Sequence, residues 1–372
     1  MVLLGGCSKT APLHQQESFV FGTRVEVLVW GVEEAKARGA ASAVLREFDR
    51  LHRMLHAWQP SELTALNEAI ARGERNIAVS AELTFILKDA ADLAARSDQL
   101  FNPAIGKLVA LWGFHSDEFK PVLPDAAAVA AVTKAQPRMS DLTIEDSGCP
   151  PTGRPEAGTA NTMEPRSGEP PSPPSAGRGA GGRCTVSSRN RAVQFDLGGY
   201  AKGYALDRAA AILRGQGIAN ALINIGGNVM ALGSKGGTPW RVGIQHPRSP
   251  APLATLDLRD GEAIGTSGDY QRYFELEGWR YCHLLDPRTG RPAGSAQAAT
   301  VLITPRPGAG ALSDAASKPV FIAGADEWRA LARRLGVEHV LRIDERGVMQ
   351  VTAALRERLT IHAEDMKVEV LP

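Results

Sequence analysis

The segment from Asp146 to Arg189 constrains the fold most strongly, because Pro, Gly, Ser, Thr and Arg dominate it. It holds almost no large apolar side chains, so it cannot bury enough surface to offset the entropy lost on ordering. We predict that residues 146–189 form a disordered insertion, with an interdomain linker as the alternative. Because strand patterns resume after it, we expect residues 18–145 and 190–372 to form one domain.

The composition is that of an ordinary globular protein. Of the 372 residues, 44% are apolar and 22% are charged, which allows a large core without disulfides or metals. Basic and acidic residues number 42 and 41, a formal net charge of +1. Nucleic-acid binding is therefore not expected, since it requires a basic excess or stripe. No apolar run reaches the ~18 residues of a membrane-spanning helix.

The first residues precede the predicted domain and have a pattern of their own. Residues 1–17 include Leu4-Gly5-Gly6-Cys7, which resembles the bacterial lipobox, where the Cys carries lipid. The stretch before Cys7 is too short for a whole signal peptide. Two interpretations stay open: a lipid anchor at Cys7 behind an incomplete N-terminus, and an incidental Cys in a frayed terminus.

The four cysteines do not form a metal-binding or redox motif. Cys7, Cys149, Cys184 and Cys282 make no CxxC pair, which argues against a zinc knuckle or a thioredoxin-type site. Cys149 and Cys184 flank the low-complexity segment, where an oxidising compartment would allow them to bridge. The sequence leaves this pairing open.

Periodicity predicts the elements on both sides of the insertion. Alternation of apolar residues indicates a strand over 18–29, and helical spacing indicates an amphipathic helix over 33–55. After the insertion we predict a strand over 192–196, a helix over 201–214, and then further strands and a helix pair. Because strands and helices alternate irregularly, we expect an α+β fold with a mixed sheet and packed helices.

The run from Asp196 to Asp207 is the first candidate site. The predicted strand ends at Gly198-Gly199 and a helix begins at once, which would expose backbone N–H groups suited to a phosphate. Lys202 adds a positive charge. The run is neither a Walker A loop nor a dinucleotide fingerprint. An anion site and an ordinary tight turn with a solvated Lys202 are both consistent with it.

Two further residues are candidates for catalysis. His283 precedes the turn of residues 286–290, and a His at such a position can act as a general base, although a lone His is more often structural. Asp314 lies near a helix start, where it can ligate a hard cation or interact favourably with the helix dipole. The Gly-rich turn of residues 224–228 is interpreted as a structural hairpin.

Several segments occur in a fixed order along the chain: Phe21-Gly22-Thr23, Ser61-Glu62-Leu63 with Leu66-Asn67, Phe101-Asn102-Pro103 with Gly106, Leu111-Trp112-Gly113-Phe114, Asp196 to Asp207, Thr266-Ser267-Gly268-Asp269-Tyr270, and His283 with Asp286-Pro287-Arg288-Thr289-Gly290. Taken together in this order, they resemble the ApbE family, the FAD:protein FMN transferases. No single segment decides the resemblance, but their joint occurrence is specific and covers nearly the whole chain outside the insertion.

The resemblance implies a T-fold-like architecture and a specific reaction. Such enzymes cleave FAD, release AMP and attach FMN to a Thr or Ser hydroxyl of a partner protein, with Mg²⁺ stabilising the phosphoryl charge. By this analogy the Gly199 carbonyl and Asp314 are metal ligands, and His283 lies at the flavin and serves the acceptor hydroxyl. The implied FAD contacts are Phe21, Asn102, Pro103, Ala104, Asp196 and Lys202. A lipid anchor at Cys7 fits a protein of the bacterial inner membrane that faces the periplasm.

Two departures from the family pattern affect this interpretation. The family places a metal-ligating Thr four residues after the Asp, where this chain has Lys318. We therefore expect Mg²⁺ to bind weakly or through fewer ligands, or Lys318 to replace it in part. The family's flavin-stacking Tyr corresponds to Ala57, and Trp58 beside it is either a stacking residue or a core residue. The alternatives are an FAD pyrophosphatase, and a flavin-binding lipoprotein or electron-transfer accessory without transferase activity.

Overall fold

A computed structural model describes residues 12–116, 118–147, 149 and 184–372. The predicted lipobox at Cys7 and residues 150–183 of the predicted insertion lie outside the described residues. Across the described ranges, no helix combines the length and apolar character needed to span a membrane.

Helices form where apolar residues recur at helical spacing behind a capping side chain. Ser61 and Ser80 each accept a hydrogen bond from an N–H group in the first turn of the following helix, which satisfies a donor that the helix itself leaves unpaired. The helices are α1 Glu34–Leu55, α2 Glu62–Arg72, α3 Ala81–Arg96, α4 Gly106–Leu111, α5 Ala126–Ala135, α6 Ala201–Gly215, α7 Ala309–Ile322, α8 Trp328–Arg334 and α9 Ala353–Arg356.

The strands form one large sheet and several small ones. They are β1 Leu13–Val20, β2 Thr23–Trp30, β3 Ile77–Ala78, β4 Leu142–Glu145, β5 Thr185–Ser188, β6 Ala221–Ile225, β7 Asn228–Leu232, β8 Trp240–Gln245, β9 Pro252–Leu258, β10 Ala263–Gly268, β11 Tyr273–Leu276, β12 Trp279–Cys282, β13 Leu285–Asp286, β14 Arg291–Pro292, β15 Ala296–Ile303, β16 His339–Asp344, β17 Met349–Thr352, β18 Leu359–Ile361 and β19 Val368–Leu371. The large sheet has the order β1-β2-β6-β7-β10-β15-β16-β17-β19, and its pairs are antiparallel except β17 with β19.

The large sheet is covered on both faces. Because side chains alternate along a strand, Val25, Val27 and Val29 of β2 face a helical layer that includes α1, α6 and α7. Ile264 of β10 faces the other side, where the small sheet β18-β9-β8 closes a second core around Trp240. The architecture is therefore a mixed sheet with packed helices.

Polar contacts hold α6 in the helical layer. The Tyr200 hydroxyl donates to the Asp89 carboxylate at 2.6 Å, and the Tyr204 hydroxyl donates to Glu82 at 3.0 Å. The Arg208 guanidinium pairs with Glu47 of α1 at 2.9 Å. These contacts fix the start of α6 relative to α1 and α3, and this start is part of the candidate site.

Two predictions of extended structure are corrected. The strand predicted over 18–29 is a hairpin, because Phe21 and Gly22 have φ values of 56° and 68° and turn the chain between β1 and β2. Apolar alternation continues through this turn, so periodicity did not reveal it. Residues 192–196 are not a strand, since their pairing with the loop before α4 is a bridge of Gln194 with Ile105.

The predicted insertion is shorter than expected at its end. Thr185–Ser188 forms β5, which pairs with β4 and β3 around the buried Val186, so the boundary at 189 was wrong. One buried Val in a polar stretch is too weak a pattern to predict a strand. Cys149 and Cys184 form a disulfide with their Cα atoms 5.1 Å apart, which joins the two ends of residues 150–183.

Candidate functional site

The candidate site lies where the first turns of α6 pack against α7. A Cβ added to Gly203 would lie 2.2 Å from the Gly310 carbonyl oxygen, and one added to Gly310 would lie 2.3 Å from that of Gly203. The two helices therefore touch backbone to backbone. The Asp207 carboxylate accepts from the N–H groups of Gly310 and Ala311, both at 2.8 Å, and so caps α7.

The glycine turn before α6 uses its own N–H groups internally. Gly198 N–H donates to the Asp196 carboxylate at 2.8 Å, and the N–H groups of Tyr200 and Ala201 donate to the Leu197 carbonyl. The prediction that this turn presents unpaired N–H groups to a phosphate is therefore wrong for these positions. The positive charge that an anion would meet here comes from side chains instead.

Asp314 of α7 is buried between two lysines. Its Oδ1 pairs with the Lys318 ammonium one turn further along the helix, and its Oδ2 lies 3.7 Å from the Lys202 ammonium. Oδ2 also accepts from Gly203 N–H at 3.0 Å. Burial would raise the pKa of Asp314, but the two ammonium groups outweigh it and hold the pKa at about 2. Asp314 is therefore a carboxylate at neutral pH.

Lys318 reaches the glycine turn across the helix interface. A Cβ on Gly199 would lie 3.2 Å from the Lys318 Cε, so the missing side chain at Gly199 leaves room for the lysine stem. The Lys318 ammonium also donates to the Asp314 carbonyl at 2.8 Å. Burial lowers the pKa of Lys318 to about 8 despite the pairing with Asp314. The structure thus brings Gly199, Asp314 and Lys318 together.

This donor set does not fit the predicted Mg²⁺ ion. Asp314 is the one carboxylate among the three predicted ligands, and an ammonium already pairs with one of its oxygens. No group of three or more His, Cys, Asp or Glu side chains in the described part of the chain could hold a metal. An Mg²⁺ ion about 4 Å from an ammonium would be repelled by roughly 8 kcal/mol at an effective dielectric constant near 20.

His283 lies in the same region as a neutral base. Its Nδ1 lies 3.1 Å from the Arg272 carbonyl, which can only accept, so Nδ1 carries the proton and Nε2 keeps a lone pair. Burial, aided by the positive charge of Arg272, lowers the pKa of His283 to about 3. The positive charges of Lys202 and Lys318 lower the same pKa to a smaller extent.

Asp196 shares this electrostatic environment. Burial raises its pKa, while the Gly198 N–H group and the charges of Arg272 and Lys202 oppose the shift. Arg272 thus acts on both Asp196 and His283. Arg272 was not among the predicted site residues, because a single Arg after a Gly-Asp-Tyr turn has no distinctive spacing.

Phe21 and Trp58 lie at the edge of this region. The Phe21 ring contacts the His52 ring at 5.6 Å between centroids, and His52 contacts His56, whose charge acts on Asp196. The Trp58 ring is half-buried and packs 5.5 Å from His115. Trp58 is therefore partly in the core and partly accessible, which is intermediate between the core residue and the stacking residue that the sequence allowed.

The segment Asn102–Ala104 lies beside Asp196. The Asp196 N–H group donates to the Pro103 carbonyl at 2.8 Å. The Asn102 side chain is buried, donates to the Pro137 carbonyl and accepts from Ala104 N–H. Its amide therefore holds the loop in place, whereas Pro103 and Ala104 border the site through their backbone.

Two further features are a hydroxyl pair between β10 and α7 and the turn of residues 224–228. The hydroxyls of Ser267 and Ser317 hydrogen-bond at 2.8 Å and link β10 to α7. The turn of residues 224–228 is the predicted hairpin, between β6 and β7, and the buried Asn228 amide nitrogen has no partner among the described residues.

Comparison with known proteins agrees with this geometry. A family model described as the ApbE family matches residues 21–341. The chain belongs to the ApbE family. A relative from Rhodobacter capsulatus named FAD:protein FMN transferase is 40% identical over 362 residues, which cover 96% of this chain and 61% of the relative. A relative of the same name from Klebsiella pneumoniae is 30% identical, over 82% of this chain and 79% of its own length.

Solved structures confirm the predicted α+β fold and the ApbE resemblance. The ApbE protein from Thermotoga maritima superposes with a TM-score of 0.75 at 26% identity, over 93% of this chain and 99% of its own. The flavin transferase ApbE from Vibrio cholerae gives a TM-score of 0.72 at 23% identity, over 94% and 99%. The chain spans less than two-thirds of the Rhodobacter relative. The relatives' shared name is that of a transferase, the enzyme class predicted from the sequence.

Proposed function

We propose that this chain is an FAD:protein FMN transferase, which moves FMN from FAD to a Thr or Ser hydroxyl of a partner protein and releases AMP. The main support is the cluster of positive charges formed by Lys202, Lys318 and Arg272 next to the neutral His283. A pyrophosphate needs positive charge around it, and a hydroxyl nucleophile needs a base. The relatives' names agree with this reaction.

The reaction is a phosphoryl-type transfer. The acceptor hydroxyl oxygen attacks the FMN phosphorus of FAD, and the bond from that phosphorus to the bridging oxygen breaks. AMP leaves with the bonding electron pair. His283 Nε2 accepts the hydroxyl proton, which its unprotonated state at neutral pH allows.

Catalysis of such a transfer depends mainly on positioning the reactants and on electrostatic stabilisation of the transition state. Lys202 is held by the Gly198 carbonyl at 2.9 Å, so its ammonium stays at the glycine turn where the pyrophosphate would bind. Asp314 keeps Lys202 and Lys318 close together, since it is ion-paired with both. No step needs a metal at Asp314, where the donor set does not fit one.

The flavin and adenine contacts are part of the same proposal. Phe21 and Trp58 offer partly exposed rings for stacking. The backbone of Pro103 and Ala104 borders the site beside Asp196, and its N–H and C=O groups are paired within the protein. A lipid anchor at Cys7, at the periplasmic face of the bacterial inner membrane, would place this site beside membrane-bound acceptor proteins.

A labelling assay tests the proposed function. We expect the purified protein, incubated with FAD and a Thr-containing acceptor peptide, to give covalently bound FMN and an equal amount of AMP. Mass spectrometry of the peptide and chromatography of the nucleotides measure the two products. A peptide with Ala in place of the Thr is the control and should stay unlabelled.

Two other outcomes would contradict the proposal. AMP and free FMN without labelled peptide would show an FAD pyrophosphatase. Tight binding of intact FAD without either product would show a flavin-binding or electron-transfer protein. The acceptor sequence affects the amount of labelling. Several peptides that differ in the residues around the Thr are therefore assayed before a negative result is accepted.

A further inference from the structure

Lys318 and Asp314 form an internal ion pair at the proposed pyrophosphate site. The two residues lie one turn apart on α7, so the helix itself brings the ammonium to the carboxylate. The Asp314 side chain is fully buried and that of Lys318 is 13% exposed. Such a pair holds its charges in a fixed place, since neither side chain can leave without an uncompensated charge in the protein interior.

The surroundings keep the Lys318 ammonium at the glycine turn. It donates to the Asp314 carbonyl as well as to the carboxylate, and its stem passes Gly199 where a Cβ would lie 3.2 Å from Cε. The remaining Asp314 oxygen is occupied by Gly203 N–H. Both carboxylate oxygens therefore have donors, and the space beside Gly199 is filled by the end of the Lys318 stem.

The pair also leaves the site with positive charge. Asp314 neutralises one of the two lysines around it, so Lys202 and Lys318 together leave a surplus of one positive charge. A divalent cation would normally supply such charge to the oxygens of a phosphoryl group in transfer. Here two ammonium groups already occupy the surroundings of the carboxylate that would hold the cation.

We propose that the Lys318 ammonium, fixed by Asp314, provides the positive charge that stabilises the transferring phosphoryl group, so that flavin transfer proceeds without a bound divalent cation. This inference rests on the proposed function. The acceptor oxygen bonds to the FMN phosphorus, the bond to AMP breaks, and charge that builds up on the non-bridging oxygens is balanced by Lys318 and Lys202. Lys318 keeps its proton throughout, so no other reactant is needed.

The first experiment measures flavin transfer by the wild-type chain in excess EDTA and in millimolar Mg²⁺. We expect the two initial rates to agree within about twofold. In Lys318→Met, which removes the charge and adds no oxygen ligand, the rate should fall by about 10²–10³-fold in both conditions, the usual cost of losing one stabilising group.

Lys318→Thr is the informative companion, because it removes the charge and adds an oxygen ligand next to Asp314. Its rate in EDTA should fall like that of Lys318→Met, and Mg²⁺ should restore it at least about tenfold. Lys367→Thr is the matched control, since Lys367 is 70% exposed and pairs with Glu369 on the edge strand β19. It should behave as wild type in both conditions.

Binding of Mn²⁺, followed by electron paramagnetic resonance, gives a readout that does not depend on turnover. We expect Lys318→Thr to bind Mn²⁺ at least about tenfold more tightly than wild type and Lys318→Met. Thermal unfolding confirms that each variant is folded. The expected order follows from removing the ammonium that repels the ion and adding an oxygen donor.

The wild-type chain alone can overturn the inference. Labelling that disappears in EDTA and returns with Mg²⁺ would refute it and leave the transferase function standing. Wild-type binding of Mn²⁺ as tight as in Lys318→Thr would refute it even without a labelling assay. Absence of labelling and of AMP in every condition would instead refute the proposed function.

Discussion

The tautomer of His283 is set by one hydrogen bond. Because the Arg272 carbonyl has no proton to give, Nδ1 must donate, and Nε2 is left as the basic atom. The lowered pKa, about 3, keeps the ring neutral at pH 5 and above. The Nε2 lone pair is therefore available at neutral pH. The burial and positive charge that lower the pKa also make the ring a weak base, and the negative charge of a bound pyrophosphate would raise its basicity.

We expect the His283 ring to show no protonation step between pH 5 and pH 8. Nitrogen chemical shifts from NMR would report a proton on Nδ1 and a lone pair on Nε2 throughout, with the resonance assigned by its loss in His283→Gln. A titration midpoint between pH 6 and pH 7 would contradict the neutral-base assignment.

Loss of this base should slow flavin transfer without preventing FAD binding. For His283→Gln we expect labelling to slow by about 10²–10⁴-fold, the usual contribution of general base catalysis. Initial labelling rates and FAD titrations measure the two effects separately. An unchanged labelling rate would remove His283 from the reaction.

At the scale of elements, the crossing of α6 and α7 positions the charged residues. Gly203 and Gly310 allow the helix backbones to touch, and this contact brings Gly203 N–H to the Asp314 carboxylate. Lys202, one residue earlier on α6, then lies 3.7 Å from the same carboxylate. Any side chain at the crossing would separate Lys202 from Asp314, whereas Lys318 lies on the same helix as that carboxylate.

We expect Gly203→Ala to destabilise the fold by at least about 1–3 kcal/mol, because the new Cβ would lie 2.2 Å from a backbone oxygen that cannot rotate away. Gly39→Ala is the control, since Gly39 is an exposed position in α1 with no atom within 4 Å of an added Cβ. It should stabilise by about 0.5–1 kcal/mol. Urea unfolding measures both. Equal stability of the two variants would contradict close helix contact.

At the scale of the whole molecule, the insertion and the site lie on different parts of the chain. Cys149 follows β4 and Cys184 precedes β5, and the two cysteines form a disulfide. Strands β4 and β5 belong to a small sheet that is separate from the large one. Of the candidate site, Lys202 lies on α6, Asp314 and Lys318 lie on α7, and His283 lies between β12 and β13. The insertion is therefore expected to be dispensable for flavin transfer.

A variant in which a short Gly-Ser linker replaces residues 151–183 should label the acceptor peptide at the wild-type rate. With the disulfide intact, its unfolding free energy should differ from wild type by less than about 0.5 kcal/mol. After reduction, wild type should be less stable than the variant by roughly 2 kcal/mol, because closing the longer loop costs more entropy. Loss of labelling in the variant would assign a function to the insertion.

Much of the fold and of the site could be predicted from local patterns. The helix from Ala201 and the candidates Lys202, His283 and Asp314 all follow from short-range spacing or from motif order. The hairpin at Phe21 and the strand β5 could not be predicted, since one continues an apolar alternation and the other has a single buried Val. Arg272 lacked any local pattern.

The family, the α+β class and the identity of the candidate residues follow from periodicity and from motifs whose members are close in the chain. The contacts of Asp314 with α6 follow instead from tertiary packing. Its partners Lys202 and Gly203 lie more than one hundred residues earlier, as Gly203 and Asp314 are 111 positions apart. The Lys202 ammonium lies close to the Asp314 carboxylate because Gly203 and Gly310 let the two helices pack closely. Local residue spacing does not predict this contact between distant segments.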